Sequence, residues 1–284
     1  MRDWIVVKVG GGITEEFDAL KILLDDIVAL RETGAHVVLM HGGGPQATAL
    51  SQALGYETRM VGGRRVTDAK TLEVMKMVLG GKVATDLLSA CRAAGIRAVH
   101  VSGVADGVIQ ATKRPPRCVS GGGDGPVDFG YVGDITAVDT RSIRVLAEAG
   151  VLPILNSLGA DEDGQVLNIN ADIAATRLAV ALNASALFLS TGAPGVLLDP
   201  RDWSTRIPTL SAAEADELIE KGVIDGGMIP KLQESFRALA AGLRRIHIVH
   251  GKEPDAMRRE WARPGSVGTA LLSSKEEIPD SDES

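Results

Sequence analysis

Aromatic residues are scarce in this chain, 3% of 284 positions, although 45% of it is hydrophobic. Its core must therefore be built mainly from Val, Leu, Ile and Ala, and there is enough chain for one large domain or two lobes. Cysteine is scarcer still. Cys91 and Cys118 form no CxxC pair and have no histidine at zinc-site spacing, so unpaired thiols in a reducing cytoplasm are expected. No apolar run reaches the length of a membrane span, and the N-terminus enters a strand-like run without a signal-peptide pattern. Positive charge is in deficit: the net charge is -7 and the pI about 5.3. That argues against a general nucleic-acid or membrane-surface binder and leaves room for a local basic pocket suited to a small anion.

What the chain does have is 33 glycines, several of them clustered beside charge. Lys8-Val9-Gly10-Gly11-Gly12 follows an apolar run at Trp4 to Val7, and His41-Gly42-Gly43-Gly44 follows another at Val37 to Met40. Both clusters fall where a strand ends and a helix begins, so backbone N–H groups can face an anion. Pro45 suits the first turn of the second helix. Neither cluster fits GxxxxGK[ST] or GxGxxG, and the second run ends in His41 instead of a ribose-binding acid, which disfavours a nicotinamide dehydrogenase.

Strand-like and helical runs alternate for almost the whole length, the pattern of an α/β protein with a largely parallel, covered sheet. Phe17, Leu20, Leu24, Ile27 and Leu30 mark the first helix, with Thr14 as its expected cap and Glu15 and Glu16 in its first turn. Further strands are expected at 98–101, 152–155, 186–190 and 245–249, and helices near 71–94, 137–149, 171–182, 211–221 and 230–242. Residues 108–133, with two prolines and Gly121-Gly122-Gly123, read as hairpins and an exposed loop, a lid or an interface arm. Residues 273–284 are polar and acidic and read as a mobile tail beyond one domain spanning 1–272.

Four charged residues are candidates for chemistry as well as for folding. Lys8 lies within an apolar strand, where its ammonium needs an anion or a path to solvent. Lys231 follows Pro230 near a helix start, an unfavourable place for a cation unless a phosphate is bound. Asp172, in Asn168-Ile169-Asn170-Ala171-Asp172, serves a helix dipole or orients the two lysines around a transferring phosphoryl group. Arg65, on a glycine-containing loop, is either solvated or grips a carboxylate.

In this order the motifs closely resemble those of the acetylglutamate kinases of the amino acid kinase family, over about Trp4 to Leu272. They are KVGGG (Lys8 to Gly12), HGGGPQ (His41 to Gln46), RRVTD (Arg64 to Asp68), GYVGD (Gly130 to Asp134), NINAD (Asn168 to Asp172), PGVL (Pro194 to Leu197) and GGMIPK (Gly226 to Lys231). The resemblance implies a three-layer αβα sandwich with an open, mainly parallel eight-stranded sheet. The half up to about residue 170 would bind an acyl amino acid, and the half from about 171 to 272 the nucleotide. Lys8 and Lys231 would stabilise the transition state and Asp172 would organise them. Gly43, Gly44, Arg65 and Asn168 would hold N-acetyl-L-glutamate. Gly11 and Gly12 would neighbour the transferred phosphoryl group. Gly192, Ala193, Pro194, Gly195, Val196 and Leu197, with Val223, Ile224 and Asp225, would contact ATP.

The expected reaction is ATP-dependent phosphorylation of the acetylglutamate side-chain carboxylate in arginine biosynthesis, with Mg2+ held by ATP oxygens and water and no dedicated metal ligands in the chain. Gly192 stands where the family carries an acidic residue, and Arg64 stands where an aliphatic one is commoner. A kinase of an aminoadipate derivative is the nearest alternative, with Arg64, Lys113, Arg114 and Arg117 as a basic rim for a carrier protein. An idle nucleotide or amino-acid sensor is the alternative from another class, and the joint presence of Lys8, Asp172 and Lys231 argues against it. Aspartate kinase is disfavoured by the lack of room for a regulatory domain. Arginine-inhibited relatives carry an extra N-terminal helix that links dimers into hexamers, so a cytoplasmic homodimer with weak or absent arginine feedback is expected.

Overall fold

The computed structural model describes residues 2–119, 121–123 and 125–273. The acidic segment expected as a tail lies, from residue 274 onward, outside the described residues. In chain order the elements are β1 (Trp4–Val9), α1 (Gly11–Thr14), α2 (Phe17–Glu32), β2 (His36–His41), α3 (Gly44–Ala53), β3 (Met60–Val61), β4 (Arg64–Arg65), α4 (Ala69–Met77), α5 (Val83–Ala93), β5 (Ala98–Val101), β6 (Ile109–Lys113) and β7 (Gly133–Val138). They continue with α6 (Arg141–Glu148), β8 (Leu152–Asn156), β9 (Leu158–Ala160), β10 (Val166–Asn168), α7 (Ala171–Leu182), β11 (Ala186–Thr191), β12 (Thr209–Ser211), α8 (Ala212–Glu220), α9 (Met228–Ala240), β13 (Ile246–His250), α10 (Ala256–Ala262) and β14 (Thr269–Leu272).

Eight strands form the main sheet in the order β12-β14-β13-β11-β1-β2-β8-β5. Only the β13–β14 pair is antiparallel. Strand alternation divides the apolar residues between two cores. Ile5, Val7, Val9, Leu39, Ile154 and Phe188 pack with α2 and α5 through Leu23, Leu24, Ile27 and Leu87. Val6, Val38, Met40, Leu187 and Leu189 pack on the other face with α7 and α9 through Leu178, Leu182, Leu232 and Leu239. This is the expected αβα sandwich, and β1 lies near its middle.

Several local expectations need correction. Thr14 does not cap α2: its hydroxyl donates to the Gly11 carbonyl at 2.8 Å, and α1 begins at Gly11 itself. Glu16 takes the cap position without a side-chain bond, leaving Asp18 as the acid in the first turn. The helix expected over 71–94 starts at Ala69 and carries a π-helical stretch, Val78–Lys82, between α4 and α5. The expected helix at 137–149 begins at Arg141, because residues 137 and 138 finish β7.

Residues 108–133 do form a hairpin, with β6 antiparallel to β7 and Arg117 bridged to Val127. It is less exposed than expected. Phe129, Val127 and Val132 make a small core of their own with Val61. The hairpin belongs to a second sheet, β10-β9-β6-β7. Cys91 is buried and Cys118 exposed, both free. Among the described residues, no helix is long and apolar enough to cross a membrane.

Candidate active site

Lys8 is the penultimate residue of β1 and, like Trp4 and Val6, points to the face covered by α7. The start of α7 is set by Asn170, whose Oδ1 accepts from the backbone N–H groups of Asp172 and Ile173 at 2.8 and 3.2 Å. This cap places Asp172 in the first turn, facing Lys8. From α9, Lys231 reaches the same carboxylate. Lys8 Nζ lies 2.6 Å from Asp172 Oδ1, and Lys231 Nζ lies 2.5 Å from Oδ2.

The side chains of Lys8, Lys231 and Asp172 are only 11%, 14% and 21% exposed. Burial pushes the Asp172 carboxyl up, but the two ammoniums outweigh it and hold the group well below the usual carboxylate range. Lys231 is lowered, by burial first and by Lys8 as well, against the opposing pull of Asp172. One carboxylate shared by two ammoniums leaves one positive charge unbalanced. The site is prepared for an anion.

Beside the triad lies a cleft of about 260 Å³, lined by Lys8, Gly11, Gly43, Gly44, Arg65, Asn168 and Asp172 among others. Arg65 is held from behind: its Nη2 donates to the Gly44 carbonyl at 3.0 Å and to Thr48 Oγ1 at 2.8 Å. Its Nη1 is buried with no partner, a donor that an incoming carboxylate can satisfy.

Three motifs far apart in sequence are stitched together behind Arg65. Thr67 N donates to the Phe129 carbonyl at 2.9 Å, Tyr131 N to the Thr67 carbonyl at 2.7 Å, and Asn168 N to the Tyr131 carbonyl at 2.8 Å. Asn168 Nδ2 adds a bond to Thr67 Oγ1 at 3.1 Å. Gly130, at φ 70°, sits at the crossing, and a side chain there would run into the Thr67 carbonyl.

The remaining expected residues lie outside the cleft lining. Lys231 joins it only through Asp172. Gly192 to Leu197 form the turn after β11, where Val196 N donates to Thr269 Oγ1 at 2.8 Å and Gly195, at φ 154°, leaves no room for a side chain beside Thr269. Val223, Ile224 and Asp225 connect α8 to α9, with Met228 N donating to the Asp225 carbonyl at 3.2 Å. At Gly192 a side chain would meet open space.

Of the four cations expected as a basic rim for a carrier protein, Arg64 lines the cleft and the other three are already engaged. Arg114 Nε and Nη2 reach Asp134 Oδ1 at 2.9 and 2.6 Å, Arg117 Nη2 reaches Oδ2 at 2.7 Å, and Lys113 lies over the Tyr131 ring. Sequence reasoning missed the apolar wall of the cleft, Met60, Met75, Phe129 and Val132. These residues come from three segments, β3, α4 and the 108–133 hairpin, and share no local pattern.

The amino acid kinase family model matches residues 3–250. An acetylglutamate kinase of Sorangium cellulosum is 50% identical over 268 residues, covering 94% of this chain and 94% of that protein. Another, from Methanocella arvoryzae, is 40% identical over 268 residues, covering 94% and 89%. Among solved structures, a protein of Streptococcus mutans superposes with a TM-score of 0.78 at 29% identity, over 96% of this chain and all of that one. N-acetylglutamate synthase of Neisseria gonorrhoeae, complexed with coenzyme A and L-arginine, gives 0.80 at 26% identity, over 96% of this chain and 62% of that chain. With the family model matched over residues 3–250 and acetylglutamate kinases 50% and 40% identical over 94% and 89% of their length, the chain belongs to the amino acid kinase family.

Proposed function

We propose that this chain transfers the γ-phosphoryl group of ATP to the side-chain carboxylate of N-acetyl-L-glutamate, giving an acyl phosphate and ADP, as a step of arginine biosynthesis. The observation that carries the reading is the Asp172 carboxylate shared between Lys8 and Lys231 at 2.6 and 2.5 Å. A carboxylate is already a nucleophile, so no general base is needed. The work is alignment and charge neutralisation. One acceptor oxygen bonds to the γ-phosphorus as the bond to the ADP oxygen breaks, and both lysines face the charge that spreads over the phosphoryl oxygens.

Arg65 Nη1 offers the missing partner for the α-carboxylate of the acceptor, while Asn168 and the backbone at Gly43 and Gly44 hold its acylamino end. The apolar wall suits a small acyl group. At Gly12 and Gly44 an added Cβ would touch no protein atom, so neither glycine is required by packing, and both leave room for close approach of substrate. In this reading the half up to about residue 170 holds the acceptor, and the half from about 171, through 192–197 and 223–225, holds the nucleotide.

Magnesium would enter with ATP and screen its phosphates. Among the described residues, Asp172 is the single acidic side chain lining the cleft, and both its oxygens are engaged by lysines. No cluster of three or more His, Cys, Asp or Glu side chains among the described residues is fit to hold an ion, so the phosphate oxygens and water would hold it. The protein is proposed to work as a cytoplasmic homodimer, which light scattering tests.

The assay is ATP-dependent acyl-hydroxamate formation, with N-acetylglutamate against N-acetylaminoadipate, in the wild type and in Lys231→Ala. Turnover of acetylglutamate that collapses in the variant is expected. Unchanged turnover in a folded Lys231→Ala protein would refute the role of the triad.

A further inference from the structure

We infer that Gln46 is a positioning residue for phosphoryl transfer, tying the acceptor-side glycine loop to the donor-side one and aiming the Gly11–Gly12 peptide. This rests on the proposed reading of Gly11 and Gly12 as neighbours of the phosphoryl group. Gln46 is 5% exposed, in the first turn of α3. Instead of serving its own helix, its Nε2 donates across to the Gly11 carbonyl at 2.7 Å and to Thr14 Oγ1 at 3.0 Å. The Thr14 hydroxyl donates in turn to the same carbonyl at 2.8 Å. One carbonyl oxygen thus receives two side-chain hydrogen bonds, both from buried groups. In a low-dielectric setting these bonds hold the Gly11 carbonyl in one geometry, while Gln46 Oε1 is buried with no partner among the described residues.

The consequence follows from the planarity of the peptide. In a trans peptide the carbonyl of one residue and the N–H of the next point in opposite directions. Anchoring the Gly11 oxygen on Thr14 and Gln46 therefore turns the Gly12 N–H away from them. Packing reinforces this restraint. A Cβ on Gly11 would sit 2.5 Å from Gln46 Oε1 and 2.8 Å from Pro45 Cδ, so Gly11 is glycine because α3 lies against it.

A second tie runs between the strands, from Gly42 N to the Val9 carbonyl at 3.1 Å. The acceptor loop ends β2 and the donor loop ends β1, so these bonds fix the separation of the two halves of the reaction. Gln46 itself does not line the cleft. It acts through Gly11.

The test uses the full-length protein and the hydroxamate assay with both substrates varied. Gln46→Met removes the donor at similar volume. Gln46→Glu replaces it with a carboxylate that can donate to the Gly11 oxygen only when protonated. For both at pH 8, kcat is expected to fall about 10- to 100-fold with each KM within about threefold, since small misplacements act on the transition state. Gln46→Glu should regain activity relative to wild type as the pH is lowered towards 6, whereas Gln46→Met should not. Thr14→Val, close in shape, should lower kcat in the same direction and combine less than additively with Gln46→Met.

The proposal is overturned if kcat stays within about twofold of wild type while only the melting temperature drops, or if the loss appears in KM alone. Should the Gln46 variants not fold, Thr14→Val decides by the same criteria. A wild-type protein that does not phosphorylate acetylglutamate would instead refute the function proposed above, whatever the Gln46 variants do.

Discussion

The molecule contains the same charge arrangement twice, one carboxylate between two cations. Asp134 is clasped by Arg114 and Arg117, and Asp172 by Lys8 and Lys231. The first is partly open, with Asp134 39% and Arg117 43% exposed, and it closes a hairpin on itself. The second is buried and joins three elements, β1, α7 and α9, that are distant in sequence. Their chemistry differs too. Arginine forks fix a geometry, whereas an ammonium on a flexible stem can turn from one anion to another as charge moves. The comparison teaches that charge count does not make a site. Burial, the type of cation and a neighbouring cleft do.

The largest expected effect breaks this comparison most sharply. Lys8→Ala or Lys231→Ala should lower kcat about 10²- to 10³-fold in the hydroxamate assay, the scale of removing one transition-state donor. Arg117→Ala should leave kcat within about threefold, because its partner still holds Arg114. Next in size is Asp134→Asn. It leaves the Arg114 guanidinium, 7% exposed, without its charge partner, and should cost about 1 to 3 kcal/mol in denaturant unfolding. Since Phe129 and Val132 ride on that hairpin and line the cleft, the KM for the acyl acceptor should rise more than kcat falls.

Gly130→Ala tests the stitching of the motifs. With φ at 70° and Thr67 in the way, it should destabilise by about 1 to 3 kcal/mol and raise the same KM. The smallest effect on turnover is expected at a third carboxylate, Asp26, which lies outside the cleft lining and has no ion-pair partner among the described residues. Asp26 accepts from the N–H groups of Met257 and Arg258 at 3.2 and 3.4 Å, capping α10 from α2. Burial raises its pKa from 3.8 to about 6. A raised carboxyl contributes stability that is complete below the unfolded value and lost as the pH climbs through the folded one. Relative to Asp26→Asn, the wild type should therefore lose about 2 to 3 kcal/mol between pH 4 and pH 8, measured by denaturant midpoints. A flat difference would show that Asp26 is not buried as an acid.

Much of the site was legible because it violates local rules. A lysine inside an apolar strand, a lysine at a helix start and glycines at strand ends each conflict with folding alone, and these residues lie at the triad and around the cleft. The sandwich was legible from alternation. Other features depend on neighbours that only the fold supplies. Asp134 entered only as the end of the GYVGD motif, and nothing local shows that Arg114 and Arg117 reach it. Gln46 looked like a helix residue, although its partners stand 35 and 32 positions away. Short strands such as β12 and β14 carry too few residues for periodicity to register, and nothing local in Val78 to Lys82 announces a π-helix.

The central claim is that Asp172 holds two lysines where phosphoryl charge develops. The most direct test is kcat of Asp172→Asn with ATP and N-acetylglutamate both saturating, alongside its melting temperature. A neutral amide cannot hold two ammoniums side by side, so kcat should fall at least about 100-fold while the protein remains folded and the KM for ATP changes little. A folded Asp172→Asn protein whose kcat stays within about threefold of wild type would contradict the account.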